Sequence, residues 1–253
     1  MNPFKVMRTR RAGGGGIVWK GSTYGENYNN AGTVTLNYAG GFFDAANNPI
    51  TPVADDLIVC FTGHAGLAGR SIAQLAPVGN VSGGFTAAHA AAFGMADSNY
   101  FTGGVHYQFV GTNTSLQIVN CGVSGDAIGV AIHVFSGVNA TTVLDVASVV
   151  TQGGNTGQVN PPAITPVTAG AKIIVCGGMA GGSSSILQNP GDLSSVNGHF
   201  RNWNALSGTR KLQIAAGLKL DWTSGAFDPA LWTGGSSNTT DSWGAACIAL
   251  RPA

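Results

Sequence analysis

Glutamate occurs once in this chain, at Glu26, and charged residues of all kinds make up 9% of its 253 residues. Exposed helix faces draw on Glu, Lys and Gln, so this scarcity argues against long helices. No apolar run approaches the roughly 20 residues needed to span a bilayer as a helix. The N-terminal stretch, M-N-P-F-K-V-M-R-T-R-R, lacks the apolar core of a secretory signal. Cysteine is sparse as well. Cys60, Cys121, Cys176 and Cys247 each lie in or beside an apolar run, with no C-x-x-C spacing. They read as buried thiols acting as small hydrophobes, and the sequence leaves their disulfide state open.

Hydrophobic residues, by contrast, reach 44%, and there are 39 glycines. That composition is not disordered; it suits a β protein with many tight turns. The net charge of +1 carries no global nucleic-acid signature. Its distribution is uneven, because Lys5, Arg8, Arg10, Arg11 and Lys20 all precede the first acid. Residues 1–20 therefore read as a basic, Gly-rich N-terminal arm, with Gly13–Gly16 as a flexible joint. Phe4 and Val6 alternate with Lys5, and Met7 precedes Arg8. Phe4, Lys5, Val6, Arg8, Arg10 and Arg11 are thus the candidate partner-binding residues, in an extended segment suited to a partner's surface. One aromatic in the arm offers no stacking ladder, which makes nucleic acid an unfavoured partner.

Residues 21–253 read as a single β-sandwich domain. Thr33–Tyr38 alternates polar and apolar residues like a half-buried strand. Asp55–Phe61 is a turn opening a buried strand, and Ile128–Phe135, Ala171–Cys176, Leu212–Leu220 and Ala245–Leu250 are further strands. Val105–Val110 and Ser115–Val119 form an expected hairpin across Gly111–Thr114. The Ala-rich run Gly83–Met95 is the one candidate for a short helix. The Gly-, Asn- and Pro-rich span 152–166 is either a domain boundary or a crossover within one sandwich. Ile58-Val59-Cys60 resembles Ile174-Val175-Cys176, and G-V-A-I-H-V-F from Gly129 resembles G-A-A-C-I-A-L from Gly244, at nearly the same offset. The pair suggests two similar strand sets packed face to face, although buried strands also converge on the same few residues.

No constellation of catalytic or metal-binding type stands out. His64, His89, His106, His133 and His199 have no zinc-ligand spacing, and there is no G-x-S-x-G elbow or phosphate-binding glycine motif. Neither catalytic residues, nor a cofactor, nor a metal is expected. Trp203, Trp222, Trp232 and Trp243 cluster late in the chain. Trp222 and Trp232, on Gly-rich loops, are candidate receptor or glycan contacts, the alternative being that they plug the sandwich.

The ordered segments A-D-D-L-I-V-C-F, G-F-T-A-A-H-A, I-G-V-A-I-H-V-F-S-G-V-N-A-T-T-V-L-D-V, P-A-I-T-P-V-T-A-G-A-K-I-I-V and S-W-G-A-A-C-I-A-L-R-P-A span Asp55 to Ala253. In that order they resemble phage virion proteins with a jelly-roll-like β-sandwich; the resemblance does not cover the arm, and Phe85 stands where that family has tryptophan. It implies an all-β jelly-roll-like sandwich and a non-enzymatic virion component, in a capsid decoration or tail position. The implied partners are other virion proteins gripped by the arm, further copies of the chain with a trimer favoured, and a candidate host-surface glycan. The implied location is the virion, assembled in the bacterial host cytoplasm, with no membrane involved.

Overall fold

The computed structural model describes residues 15–27, 34–36, 41–66, 69–77, 84–94, 100–111, 127–153, 158–180, 187–198, 201–207, 210–233 and 241–253. The arm residues Phe4, Lys5, Val6, Arg8, Arg10 and Arg11 lie outside them, as do Cys121 and the second strand expected at 115–119.

The described chain is all-β. Its strands are β1 (Val18–Asn27), β2 (Phe42–Phe43), β3 (Pro49–Ile50), β4 (Leu57–Gly66), β5 (Thr86–Ala87), β6 (Tyr100–Phe109), β7 (Ala127–Ser136), β8 (Val149–Gly153), β9 (Lys172–Ala180), β10 (Arg201–Ser207), β11 (Arg210–Lys219) and β12 (Ser242–Leu250). A 3-10 turn at Ile72–Leu75, closed by a Ser71–Gln74 capping box, is the helical element among the described residues. The strands form two antiparallel sheets. One is seven-stranded, in the order β3-β2-β1-β7-β4-β6-β5, and the other is five-stranded, in the order β10-β11-β9-β12-β8.

The same strand order is built twice. In sequence order, β1, β4, β5, β6 and β7 of the first sheet correspond to β8, β9, β10, β11 and β12 of the second. Each set is arranged first-fifth-second-fourth-third. The sets face each other in opposite order: β1 packs near β10, β7 and β4 near β11, β4 near β9, and β6 near β9 and β12. This is the arrangement of a pseudo-two-fold through β4 and β9. The register agrees, since Gly63 pairs with Gly129 in one sheet and Gly178 with Gly244 in the other, at one common sequence separation. The turns into β4 and β9 match too. Asp56 N–H donates to Val53 O, and Ala171 N–H donates to Thr168 O. The third turn residue is left-handed in both, Asp55 at φ 71° and Gly170 at φ 82°. Asp tolerates that conformation better than most residues, and Gly adopts it freely. Ile50-Thr51-Pro52-Val53 and Ile164-Thr165-Pro166-Val167 lead into these turns. The likeness of Ile58-Val59-Cys60 to Ile174-Val175-Cys176 is, however, one residue out of step. Val59 faces the other sheet and Val175 faces away, because side chains alternate along a strand.

Three apolar layers follow. Leu57, Val59, Phe61, Phe135, Ile174, Leu212, Ile214 and Ile248 fill the space between the sheets. Ile58, Cys60, Ile128, Val130, Ile132 and Val134 point outward from the first sheet and are covered by Val34, Leu36, Phe42 and Phe85. Val175, Ala245 and Cys247 point outward from the second and are covered by Leu187, Leu193, Trp222 and Trp232. Strands buried on both faces read as continuous apolar runs, as β4, β7, β9 and β12 do.

Several expectations change. A jelly roll winds its strands back and forth between two sheets, whereas this chain lays down its first sheet within residues 18–136 and its second within 149–250. Val34–Leu36 is not a strand but a cover on β7 and β1, tucked over Gly25. Within Gly83–Met95, the described residues form the short β5 and a bridge from Phe93 to Gly103 instead of a helix. β6 pairs with β4 and β5. Ile17 is buried and Val18–Lys20 already belongs to β1, so the expected arm boundary at 20 falls inside a paired strand. Of the span 152–166, Gln152 and Gly153 close β8 and the described residues 158–166 lead towards β9 of the same sheet.

The centre of the sandwich leaves no room for a side chain at Gly63 or Gly178. A Cβ on Gly178 would sit 2.6 Å from Gln213 O and 2.6 Å from Phe101 Cε2; one on Gly63 would sit 2.3 Å from Ile214 Cγ2. Gly178→Ala is expected to lower stability by about 1–3 kcal/mol, because backbone must shift to admit it. Alanine at exposed Gly84 cannot serve as the control, since that residue has a left-handed φ; Gly111→Ala, with open space around it, can. Urea unfolding midpoints of the two variants check this.

Candidate functional site

A cleft of about 760 Å3 opens between residues Ala88–Phe93 and residues Leu144–Gln152. It sits at one margin of the sandwich, where β5 ends the first sheet and β8 ends the second. Its floor is Phe93, which stacks on Phe61 at 6.1 Å and packs obliquely on Phe101 and His89. Gly103 and Gly244 make room for the Phe93 ring; a Cβ on Gly103 would meet it at 2.5 Å. One wall is the alanine run Ala90–Ala92. The other is β8, whose Val150 and Gln152 stand opposite the inward-facing Ala246 and Gly244. Two hydrogen bonds tie the walls together: Ser148 Oγ–H donates to Ala88 O at 2.7 Å, and Gly94 N–H donates to Gln152 Oε1 at 2.9 Å.

The ionisable groups at the cleft are committed to structure. His89 Nε2 accepts from Val105 N–H at 3.0 Å, which leaves Nδ1 as the donor to Ala91 O at 2.5 Å. Burial lowers its proton affinity, against the pull of the Ala91 carbonyl. Asp145 accepts from Val167 N–H, Thr168 N–H and Arg251 Nε–H. Burial alone would raise its carboxyl, but the bonds from Thr168, Val167 and Arg251 outweigh it and hold it below the ordinary range. Asp145 therefore staples the β7–β8 connection to the crossover and to the end of β12.

β8 is the open edge. It pairs with β12 on one side and has no ladder partner on the other among the described residues. Val149 and Val150 are 36% and 42% exposed. The equivalent strand of the first sheet, β1, differs in that its outer side is capped by the β2–β3 hairpin through Ser22 and Phe43. Chemically, the site is a small-residue trough beside backbone donors and acceptors that have no ladder partner among the described residues, suited to an extended chain. Sequence reasoning missed it. The signal available was an uncharged Val149–Gly153 beside the alanine run.

The tryptophans expected to contact a receptor or glycan are packed inside. Trp232 is fully buried and Trp222 nearly so, and the Trp222 indole N–H donates to Gly225 O at 3.0 Å. Both close the outer face of the second sheet over Val175, Ala245 and Cys247. This corrects their reading as a surface platform. A flat apolar sheet face needs a cover, and the largest side chains on the nearby loops supply it. Trp232→Ala is expected to cost about 3–5 kcal/mol of folding stability, measured as a shift in the denaturant midpoint.

Polar side chains also line the outer face of β4 and β6, beneath the 3-10 turn. His64 accepts from Arg70 Nε–H at 3.3 Å, and Thr102 Oγ1 accepts from Arg70 N–H. His106 is buried there, and neither of its ring nitrogens closes a hydrogen bond of ordinary geometry among the described residues. Burial, aided by His89, lowers its pKa to about 4, and the Ile72 backbone pulls the other way. His133 instead accepts from Trp19 Nε1–H at Nδ1 and donates from Nε2 to Ala216 O. Cys60, Cys176 and Cys247 are buried and form no disulfide among the described residues, and burial pushes the thiols of Cys176 and Cys247 up. Among the described residues, no three His, Cys, Asp or Glu side chains group as metal ligands, and no helix is long and apolar enough to cross a membrane.

The His106 environment predicts acid sensitivity. The unfolded chain takes up this proton near pH 6.5, the folded chain near pH 4. Stability is therefore unaffected above pH 6.5 and falls as pH drops through that window, by about 3 kcal/mol at most. His106→Leu should flatten the Tm-against-pH curve between pH 6.5 and 4; an unchanged slope would assign the loss elsewhere.

Comparisons with protein-family models, with curated proteins and with solved structures return no match.

Proposed function

We propose that this protein is a non-enzymatic structural component of a phage particle, held there by its basic N-terminal arm. The observation that carries the reading is the open, uncharged β8 edge and its trough, a surface that accepts an extended chain in a molecule whose own N-terminal segment has the pattern of one. The likeness to virion proteins supports it, since four of its five segments fall on β4, β7, β9 and β12, the strands at the centre of both sheets, and the fifth on the edge strand β5. The likeness is carried by the sandwich and not by jelly-roll winding. Capsid decoration and tail attachment are both positions for such a part, and self-association, with a trimer favoured, belongs to the same reading. A glycan-binding adhesin built on Trp222 and Trp232 draws no support from their packing.

Deleting residues 1–14 tests the proposal. The shortened chain is expected to keep its melting temperature, because the first described contacts begin at Gly15–Gly16 against Gly137, and to be lost from purified particles. Normal incorporation of the shortened chain would overturn the anchoring role.

A further inference from the structure

We infer that the free edge of β8 receives residues Phe4–Arg8 from a second copy of this chain, added as an extended strand. The inference rests on the arm being an anchoring segment and names what that segment grips. The internal duplication carries it. β1 and β8 occupy equivalent positions, and in the first set the outer side of β1 is filled by a strand bearing Phe42 and Phe43. In the second set the equivalent side of β8 is open among the described residues. Natural edges are blunted by charge, proline or brevity. β3 and β5, the ends of the first sheet, are two residues each, and β10 carries Arg201 and packs near β1 and β7. Val149-Val150-Thr151-Gln152-Gly153 has none of these protections.

The arm matches what the edge lacks. In an extended chain Phe4 and Val6 share one face, and Lys5 and Met7 the other. Phe4 and Val6 fit the trough between Val150 and Ala90–Ala92, with the apolar ring entering beside alanine and valine methyl groups and over Phe93. Lys5 and Met7 then lie with Val149 and Thr151. Arg8 follows on the face of Phe4 and Val6 at the far end of the segment, and Arg10 and Arg11 lie beyond it. The chain enters β1 at one margin of the sandwich, while β8 is the opposite margin. Between these margins the end of the sandwich is closed by Arg251–Ala253, whose backbone bonds Val143, Asn139 and Gly137. A donor at one margin and an acceptor at the other make a head-to-tail contact, which closes into rings or extends as a lattice.

Two full-length variants with distinguishable tags test this: one carrying Lys5→Cys or Met7→Cys, the other Val149→Cys or Thr151→Cys. Mixed and mildly oxidised, they are expected to give a disulfide-linked heterodimer. Adding Val150→Lys to the acceptor, which sets a cation in the trough facing a basic arm, is expected to abolish that species without lowering the melting temperature. Linkage only within one chain, when both cysteines are placed in a single copy at low concentration, would overturn the second-copy assignment. Absence of any linkage, while deletion of residues 1–14 still removes the protein from particles, would overturn the β8 site and leave the anchoring reading standing. A heterodimer found together with normal particle incorporation of the shortened chain would uphold this inference and remove the proposed function.

Discussion

The close approach of two sheets at paired glycines is the constraint on which this molecule depends. Gly63 opposite Gly129, and Gly178 opposite Gly244, leave the middle of each sheet without side chains on its inner face. Phe61, Phe93, Phe101 and Ile214 use the space, and their rings and branches occupy the positions where a Cβ would stand. Large side chains from one sheet thus fill the hollows of the other, which is how an interior reaches close packing. The same arrangement explains the composition. Glycine is abundant where backbone meets ring, and charge is scarce because both faces of both sheets are covered.

Covering those faces settles where the other large side chains go. The second sheet is roofed by Trp222, Trp232, Leu187 and Leu193, and the first by Phe42, Val34 and Leu36. Among the described residues, what is left uncovered is an edge, not a face. A sheet edge offers main-chain groups, and recognition by main chain depends little on the identity of the arriving side chains. That places the functional interest of the molecule at β8 and in the proposed exchange of arms, and away from the aromatic loops.

Much of the sandwich was legible in the sequence, and for a physical reason. Ile128–Phe135, Ala171–Cys176 and Ala245–Leu250 are continuous apolar runs because they are central strands buried on both sides. The β7–β12 likeness was real, and Gly129 and Gly244 do hold equivalent places. Ile58-Val59-Cys60 misled by one residue, since apolar strands buried on both faces lose the alternation that fixes register. Pro52 and Pro166, in the shared I-T-P-V before each turn, are the better marker of the duplication. The trough was illegible because it is made by short-range neighbours of two distant segments: alanines from 90–92 and an edge strand from 149–153. Trp222 and Trp232 looked like loop residues, and their burial depends on a sheet face whose need for cover no local pattern announces.

The molecule also has a direction. Gly16, Gly137 and Ala253 come together at one end, where Ala253 N–H donates to Gly137 O and the backbone oxygens of Gly15 and Gly16 lie against Gly137. β4 and β9 start at that end and β7 and β12 finish there. The opposite end is where β4 stops at Gly66, β9 stops at Ala180, and β7 and β12 begin at Ala127 and Ser242. A copy tethered through its N-terminal segment would stand upright on that tether, with its C-terminus turned down toward the support and the far ends of β4 and β9 turned up. A passenger protein joined after Ala253 would then be wedged beneath the molecule, whereas one inserted beyond Gly66 or Ala180 would be carried on its crown.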